Sequence, residues 1–500
     1  MGGHPDERFT RADLLLRAGG AAGAVALGGY GIDRLLTAGT ANARDTVIRP
    51  APDNGGGFMS FQSRPDMRPP FVTVLKNTDA AGEGLLFLCP NSGTGQRGVM
   101  IIDGKGDLVW FKRTFPKTAI NFRPGIWKGK PVLTWWEGKT TRGLGVGEHV
   151  IVDDSYQEIA RFPAGHGLAS DLHELMLTPR GTALITSWET REMDLSSLGG
   201  GRQAVVGGLI QEIEVPSARV VWEWRSLDHV DIGESKQGIG PQFDYFHINS
   251  IDVDSAGNFL VSARNTWAVY KISRKTGQVQ WRLGGKKSDF KMGPGTSFAW
   301  QHDARHHGGG DRTISIYDDG AAPPVEKHSR AIVLDVDWEN RRATLKRQYV
   351  HPSHQILSAA MGNAQLLPNG NMFVGWGTEP YMTEFDHAGH VVWDAKLPHG
   401  GENYRAFRLP WVGRPTDAPK LVARSSTGGK RLYVSWNGAT DVAQWRLNTG
   451  AAENGLSEEA TGPKESFETV LIPKPGAKFA SVTALDAKGR PLKTSNVVRL

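Results

Sequence analysis

Short apolar segments alternate with polar, glycine-containing turns along most of the chain. Around the turns, apolar residues alternate with polar ones, which is the period of a half-buried β-strand. The turns are SAGN, KTGQ, PRGT, PNGN, GKGD and HAGH, and each places glycine where a tight hairpin needs a positive φ. The pattern predicts antiparallel strands joined by hairpins.

The predicted strands group into six similar units. In each unit an apolar strand leads through a turn to further strands, and the last strand ends near tryptophan or another aromatic residue. The units cover residues 84–111, 120–162, 171–224, 246–285, 298–350 and 362–394. Such repeats are typical of β-propellers, so we predict an all-β fold with a six-bladed β-propeller over residues 71–408. Tandem β-sandwiches are the alternative, but they would need more strands in each unit.

The C-terminal part departs from this repeat. Residues 409–419 are rich in proline and predict a linker. Residues 420–500 contain strand pairs that resemble a small fibronectin III or Ig-like β-sandwich. Trp436 and Trp445 would fill its core, and the polar run 451–464 predicts an exposed loop. We expect this domain to be structural or adhesive.

The N-terminal 43 residues have the features of an export signal. An apolar, small-residue stretch over 18–32 precedes Ala41-Asn42-Ala43, which fits a small-x-small cleavage pattern. The segment resembles a twin-arginine signal, with Ala12 at the place of the second arginine. We therefore predict a signal over 1–43, an N-terminal extension over 44–70, and a secreted or cell-envelope protein without a stable membrane span after signal removal. A disordered tail is the alternative.

Composition fits the predicted fold and narrows the function. The 500 residues include 62 glycines and 16 tryptophans, which suits an all-β protein with many tight turns. The net charge of +6 is spread along the chain without a basic run or a nucleic-acid-binding motif, so we predict no nucleic-acid partner. Cys89 is the single cysteine, which excludes an intrachain disulfide, and its setting in GLLFLCP predicts a buried strand position.

Histidines open three consecutive predicted blades. They are His173 in DLHELML, His247 in FHINSI and His302 in WQHDARH, and the flanking blades offer Asn121 and Asn363 at the same place. The first strand of each propeller blade lines the central channel, so these side chains should converge. Burial of a polar ring without a ligand is costly, and the pattern predicts a binding or catalytic site.

Two kinds of chemistry suit three histidines. Zinc accepts three histidine ligands, but compact metal-binding spacings such as HxH and HExxH are absent, and we predict neither a metal nor a cofactor. We assign His306 and His307 to a surface loop. The second kind is group transfer at sulfur or phosphorus, with one histidine as nucleophile, another as general acid, and Arg330 as an oxyanion clamp.

Several stretches resemble the arylsulfotransferase family. They are DYFHINSIDVDSAGNFLVSARNTWAVYKI, TGQVQWRLGGKKSDF, FAWQHDAR, HSRAIVLDVD and GNAQLLPNGNMFVGWG. The likeness covers about residues 71–408, and members of the family are six-bladed propellers that are often exported. The resemblance implies transfer of a sulfuryl group from a phenolic sulfate ester to a phenol through a sulfated histidine, without phosphoadenosine phosphosulfate. Small-molecule aryl sulfates and phenols are therefore the expected partners.

The resemblance also assigns residues. It makes His247 and His302 the channel histidines, Arg330 the sulfuryl clamp and His173 a further catalytic member; Asn249, Asn363 and Trp376 are assigned to substrate binding. The family nucleophile comes from late in the propeller, where the stretch GNAQLLPNGNMFVGWG has no histidine; the nearest histidines, His351 and His354, fall in a predicted connecting HPSH loop. Either His302 or His354 takes that role, or the chain has lost sulfotransfer.

Two other functions remain open from the sequence. One is a non-catalytic propeller that binds an aryl or sugar ligand in its channel. The other is a quinone-dependent dehydrogenase, because TGQVQWRL is similar to repeats in those propellers. Such dehydrogenases usually carry eight blades and acidic calcium ligands, which this sequence does not offer.

Overall fold

The structure is a computed structural model that describes residues 47–48, 56–308 and 312–500. The predicted signal over 1–43 lies outside the described residues. Strands dominate the described chain and helix is limited to short 3₁₀ turns, so the predicted all-β class is confirmed. Within these residues, no helix has the length and apolar character needed to cross a bilayer.

The strands in chain order are β1 (Val47–Ile48), β2 (Thr73–Asn77), β3 (Leu85–Leu88), β4 (Gly98–Ile102), β5 (Leu108–Arg113), β6 (Thr118–Trp127), β7 (Lys130–Thr141), β8 (Leu144–Val152), β9 (Glu158–Phe162), β10 (Leu175–Leu177), β11 (Thr182–Asp194), β12 (Arg202–Glu214), β13 (Val220–Arg225), β14 (Gln242–Asp244), β15 (Ile248–Val253), β16 (Phe259–Ala263), β17 (Ala268–Ile272), β18 (Val279–Gly284), β19 (Lys291–Met292), β20 (His302–His307), β21 (Thr313–Asp318), β22 (Arg330–Asp337), β23 (Arg342–Tyr349), β24 (Asn363–Leu366), β25 (Met372–Gly375), β26 (Tyr381–Phe385), β27 (Val391–Lys396) and β28 (Phe407–Leu409). The C-terminal strands are β29 (Lys420–Ser426), β30 (Gly429–Ser435), β31 (Gln444–Gly450), β32 (Ser457–Pro463), β33 (Glu468–Leu471), β34 (Phe479–Leu485), β35 (Pro491–Thr494) and β36 (Val498–Arg499). Short 3₁₀ turns cover Ser196–Leu198, Ser226–Asp228, Ile232–Glu234 and Arg264–Thr266.

Six sheets with antiparallel four-stranded cores follow one another between β2 and β28, and β14 and β19 join two of them as parallel strands. Their orders are β28-β3-β4-β5 (sheet 1), β6-β7-β8-β9 (sheet 2), β10-β11-β12-β13 with β14 (sheet 3), β15-β16-β17-β18 (sheet 4), β20-β21-β22-β23 with β19 (sheet 5) and β24-β25-β26-β27 with β2 (sheet 6). Each sheet contacts the next one, and sheet 6 contacts sheet 1 through β25 and β28. The succession of contacts therefore closes on itself.

Sheet 1 joins the two ends of this ring. Its first strand, β28, comes from the end of the ring and pairs with β3, with Phe407 opposite Phe87. The first unit predicted from sequence lacks this strand, because β28 lies more than three hundred residues from β3 along the chain. Backbone hydrogen bonds between distant segments thus close the ring.

The glycine turns have the backbone that the sequence predicts. Gly257 in SAGN has a φ of 83° and Gly370 in PNGN has a φ of 87°. The other four predicted turn glycines also have positive φ. A residue with a Cβ would be strained at these positions, so glycine fixes the hairpins that separate the strands.

Apolar side chains fill the spaces between neighbouring sheets. Between sheets 4 and 5, for example, Leu260, Leu283 and Ile316 are fully buried in one cluster. Cys89 is buried as predicted, and burial raises the pKa of its thiol. Burial of these side chains from water supplies most of the driving force that holds such layers together.

Two further sheets lie at the C-terminal end. Their orders are β1-β33-β30-β29 and β32-β31-β34-β35 with β36, and one hydrophobic cluster joins them. Trp445 is buried in that cluster and Trp436 packs against it. The predicted loop at 451–464 is wrong, because residues 457–463 form β32. This edge strand is polar and largely exposed, so it lacks the apolar alternation that identifies strands in sequence.

The C-terminal sheets pack against the ring. Tyr156 donates its hydroxyl to the carbonyl of Gly438 at 2.8 Å, and Asn437 exchanges two hydrogen bonds of 3.0 Å with the backbone of Phe111. Ser63, from the segment before the ring, donates its backbone N–H to the carboxylate of Glu468 at 2.6 Å. These hydrogen bonds, which are partly or fully buried, fix the contact between the two parts.

Candidate active site

The three predicted histidines converge at the first strands of sheets 3, 4 and 5. The ring centroids of His173 and His247 lie 4.8 Å apart, edge to face. Tyr404 touches the cluster from the segment before β28, with its ring 5.7 Å from His173 and 6.3 Å from His302. Three side chains separated by more than fifty residues therefore share one buried centre, as the sequence predicts.

Backbone irregularities direct polar side chains toward this centre. The first strands of sheets 2, 4 and 5 each contain a register shift, between Ile120 and Arg123, Ile248 and Ser250, and His302 and Arg305. An extra residue in a strand bends it and re-aims its side chains. Asn121, His247 and Asp303 also adopt positive φ values of 62°, 57° and 55°. Such conformations are costly for residues other than glycine and cluster at functional sites.

Each histidine uses Nδ1 to bind a carboxylate. Asp171 pairs with His173, Asp244 pairs with His247 at 2.5 Å, and Asp319 pairs with His302 at 2.7 Å. A neutral imidazole that donates Nδ1–H to a carboxylate carries its lone pair on Nε2. The arrangement therefore leaves Nε2 of each ring for chemistry.

Burial keeps two of the rings neutral. It lowers the pKa of His302 well below its ordinary value, and the positive charge of Arg264 adds to the effect. Burial also lowers the pKa of His173, although Asp171 opposes that shift. Burial raises the pKa of Asp319, while Arg264 opposes the rise by stabilising the carboxylate. Neutral His302 and His173 are the forms that have a free lone pair at pH 7.

Arg264 is the basic residue that sequence analysis missed at this site. It follows β16, its backbone N–H donates to the carbonyl of His247 at 2.9 Å, and its guanidinium stacks over Trp300 at 4.7 Å. The carboxylates of Asp319 and Asp244, which hold two of the histidines, attract its charge. Arg264 lies in SARNTW within the fourth unit, and an arginine at a strand end carries no periodic signal that would single it out.

A network of buried charges involves the same first strands. Arg305 pairs with Glu174 and, at 2.7 Å, with Asp303. Arg405 is fully buried, lies 3.3 Å from Glu174, and donates to the carbonyl of Asn249 at 2.6 Å. Burial alone would raise the pKa of Glu174, but the surrounding guanidiniums lower it to about 2. These opposite charges neutralise one another.

An apolar wall flanks the histidines. Leu172, next to His173 in sequence, packs with Ile120, Trp136 and Tyr404, and Met361 packs against this group. Beside His247 the free space is only about 10 Å³, below the tip of the β7–β8 hairpin. An apolar surface beside polar groups suits an aromatic ligand. An aromatic ligand is larger than the space beside His247, so it could bind there only after the hairpin tip moves away.

Arg330 is engaged elsewhere. Its guanidinium donates to Asp318 at 2.9 Å, to the side chain of Gln348 at 3.0 Å and to the carbonyl of Ser297 at 2.7 Å. These contacts lie within sheet 5 and the loop before it. The structure therefore connects Arg264, rather than Arg330, to the histidines.

The predicted substrate-binding residues have structural contacts. Asn363 donates to the carbonyl of Ala406 at 2.8 Å and accepts from its N–H at 3.0 Å, while Asn249 donates to the carbonyl of Gln301 at 2.6 Å. Each amide thus links one sheet to the next. Trp376 is fully buried and donates Nε1–H to Thr383 at 2.9 Å, so its ring offers no open face for stacking.

Two predictions about other histidines have different outcomes. The loop assignment of His306 and His307 is wrong, because both lie in β20 and His306 is buried. The register shift in that strand and the following glycines hide the strand pattern in sequence. His351 and His354 lie in the loop after β23, as predicted, and group with Asp394.

Comparison with known proteins identifies a family. The sequence model described as arylsulfotransferase (ASST) matches residues 123–397. No curated protein matches the chain significantly.

Three solved structures are similar to this chain at low sequence identity. A Bacteroides caccae protein of unknown function is 14% identical with a TM-score of 0.41, over 65% of this chain and 98% of its own. A Lactobacillus plantarum protein is 13% identical with a TM-score of 0.35, over 78% and 99%. Virginiamycin B lyase from Staphylococcus aureus is 9% identical with a TM-score of 0.33, over 73% and 96%. TM-scores this low establish no common fold. The family match covers more than half of the sequence, and the chain belongs to the arylsulfotransferase (ASST) family.

Proposed function

We propose that the six sheets are the blades of one propeller and that its centre transfers a sulfuryl group from an aryl sulfate to a phenol. Family membership supports an arylsulfotransferase-like function with small-molecule aryl substrates. One observation carries the more specific mechanism: three buried histidines, each bound to a carboxylate through Nδ1, share a centre with Arg264. No nucleotide donor takes part in the proposed reaction.

His302 is the proposed nucleophile. Its Nδ1–H is held by Asp319 at 2.7 Å, and burial keeps the ring neutral, so Nε2 has a lone pair. Attack of Nε2 on sulfur forms an N–S bond and breaks the bond from sulfur to the phenolic oxygen. The ring becomes positively charged in this step, and the Asp319 carboxylate stabilises that charge as in other histidine–carboxylate pairs.

Arg264 and His247 complete the first half-reaction. The Arg264 guanidinium already donates to the side chain of Asn265 at 3.0 Å and to the carbonyl of Ala359 at 3.3 Å. Its remaining N–H donors are the proposed partners of the sulfuryl oxygens, and its charge suits the anionic ester. His247, which is the most exposed of the three rings at 9%, gives a proton to the departing phenolate. The second half-reaction reverses these roles: His247 takes the proton of the acceptor phenol, whose oxygen attacks sulfur and releases His302.

The apolar wall supports an aromatic substrate. Met361, which is partly exposed, presents hydrocarbon near the histidines and packs against the buried side chains of Leu172 and Trp136. An aryl ring against this wall would place its sulfate toward the polar side of the centre, where Arg264 lies. Binding in this way orders the reacting atoms, which accounts for a large part of the rate of a transfer reaction.

The test is turnover of 4-nitrophenyl sulfate with phenol as acceptor. We expect nitrophenol release to depend on phenol and to disappear in His302→Ala. His166→Ala is the matched control, because His166 is an exposed histidine bound to Glu223 at 3.1 Å. Activity of His302→Ala equal to that of the control would contradict the assignment. Absence of turnover in the wild type across several phenolic sulfates would favour a non-catalytic propeller that binds an aryl or sugar ligand.

We also propose that the protein is exported and that residues 420–500 form a fibronectin III-like sandwich without a catalytic role. The sequence features of residues 1–43 support export. Two sheets around one hydrophobic cluster support the sandwich. Cell fractionation of the full chain, with detection of a shortened mature form, tests export directly.

A further inference from the structure

A second histidine cluster lies away from the proposed active site. His351 and His354 are in the HPSH loop that leaves sheet 5, and Asp394 is on β27 of sheet 6. One nitrogen or oxygen atom from each residue lies within 4.8 Å of the others. The two histidines also line a cleft of about 370 Å³, together with His328.

Neighbouring residues hold these side chains in place. Trp376 donates Nε1–H to Thr383 at 2.9 Å, and Thr383 donates its hydroxyl to Asp394 at 2.8 Å. The ring of His354 stacks on Tyr381 with centroids 4.3 Å apart. Partners that orient a carboxylate or an imidazole in this way are common around metal ligands.

We propose that His351, His354 and Asp394 bind one divalent transition-metal cation, with Zn²⁺ as the best fit. Two imidazoles and one carboxylate form a mixed nitrogen and oxygen set that zinc accepts, whereas calcium and magnesium prefer oxygen alone. The cleft beside the histidines leaves room for water or a small anion as a fourth ligand. This site departs from the sequence prediction that the protein binds no metal.

Binding requires a rearrangement of His351. Its Nδ1 accepts backbone N–H groups of Ser353 at 3.3 Å and His354 at 3.1 Å, so Nε2 carries the proton and faces Asp394 at 3.4 Å. A half-turn of the imidazole about its Cβ–Cγ bond brings Nδ1 to the side of Asp394 and leaves the proton on Nε2. The two backbone contacts are lost in this step, which lowers the affinity below that of a preformed site.

The cation would connect two neighbouring sheets. The HPSH loop follows β23 of sheet 5, and Asp394 belongs to sheet 6. A bound cation would therefore stabilise their junction and raise the unfolding temperature in proportion to the logarithm of its concentration. The proposal does not depend on sulfotransfer, since none of its ligands belongs to the three-histidine centre.

The experiment is calorimetric titration of the chelator-treated full chain with Zn²⁺, together with the absorption spectrum of the Co²⁺ form. We expect one equivalent to bind, with at least about tenfold weaker binding in His354→Ala and in Asp394→Asn. His390→Ala is the control, because His390 is an exposed histidine that pairs with Asp386. Thr383→Val, which removes the hydroxyl that orients Asp394, should weaken binding by about tenfold.

Two results would overturn the metal site. One is the absence of stoichiometric Zn²⁺ binding to a folded wild-type chain. The other is unchanged affinity in His354→Ala, whose partly exposed side chain can be removed without unfolding the protein. If Asp394→Asn unfolds the chain, His354→Ala alone decides the question.

Discussion

Two neighbouring sets of buried ionisable residues differ in how their charges are used. Around Glu174, the guanidiniums of Arg305 and Arg405 pair with carboxylates, and each donates to a backbone carbonyl, of Ile251 and of Asn249 respectively. Around His302, each histidine binds one carboxylate and keeps a second ring nitrogen. Burial of charge therefore does not by itself identify an active site. A ring nitrogen that the histidine–carboxylate pair does not use is a better indication of an active site than buried charge.

The largest expected effect comes from Asp319→Asn. The amide would favour the tautomer of His302 with the proton on Nε2, so we expect kcat to fall by about 10³–10⁴-fold with little change in KM. Steady-state kinetics measure this. Asp318→Asn is the matched control, because Asp318 binds Arg330 rather than a histidine. An equal loss in both variants would mean that the tautomer of His302 does not limit the rate.

Glu174→Gln should lower the free energy of unfolding. Loss of this carboxylate leaves the guanidiniums of Arg305 and Arg405 without a buried counter-charge, which costs about 3–5 kcal/mol of the free energy of unfolding. Urea unfolding measures the loss. Glu158→Gln removes an exposed partner of Arg161 and should cost about 0–1 kcal/mol. Similar costs in the two variants would contradict the structural role of the buried network.

Arg264→Ala should reduce turnover more than Arg330→Ala. Loss of the guanidinium beside the histidines costs about 3–4 kcal/mol of transition-state stabilisation, or roughly 10²–10³-fold in kcat, as for other oxyanion donors. Arg330→Ala also removes one guanidinium, but that group binds Asp318, Gln348 and Ser297. A greater loss of kcat in Arg330→Ala than in Arg264→Ala would assign the sulfuryl clamp to Arg330.

The contribution of Glu174 to the free energy of unfolding should depend on pH. Its pKa in the folded chain, about 2, lies below its ordinary value of 4.5, so ionised Glu174 stabilises the fold above pH 4.5. That contribution is lost as the pH falls from 4.5 toward 2. The difference in unfolding free energy between wild type and Glu174→Gln should therefore shrink over this interval. A difference that stays constant with pH would show that the ionised form contributes nothing.

The smallest expected effect belongs to Asn363→Ala. Its amide makes two hydrogen bonds with Ala406, between sheets 6 and 1. Leaving those backbone groups unpaired should cost about 1–3 kcal/mol of stability while KM stays unchanged. A raised KM with normal stability would support the substrate-binding role assigned from sequence.

The sequence located the histidines because position within a repeat is a local signal. His173, His247 and His302 each stand at the start of a unit, and strands in equivalent positions bring them together. Arg264 was missed because its approach to the centre depends on the conformation of one turn. The first strand of sheet 1 was missed because its pairing depends on closure of the whole ring.

The wrong predictions for two segments also have physical reasons. Residues 457–463 form an exposed edge strand, where neither face needs to be apolar. His306 lies in a strand with a register shift, which disturbs the alternation that sequence reasoning depends on. Periodicity thus predicts regular strands well and irregular ones poorly, and the irregular strands build the centre of this protein.

The most direct test of the account is the intact mass of the protein after rapid mixing with 4-nitrophenyl sulfate. We expect a gain of about 80 Da, the mass of one sulfuryl group, with a burst of nitrophenol and with peptide mapping to His302. The gain should disappear on addition of phenol. A sulfated residue other than His302, or turnover without any adduct, would contradict the proposed mechanism.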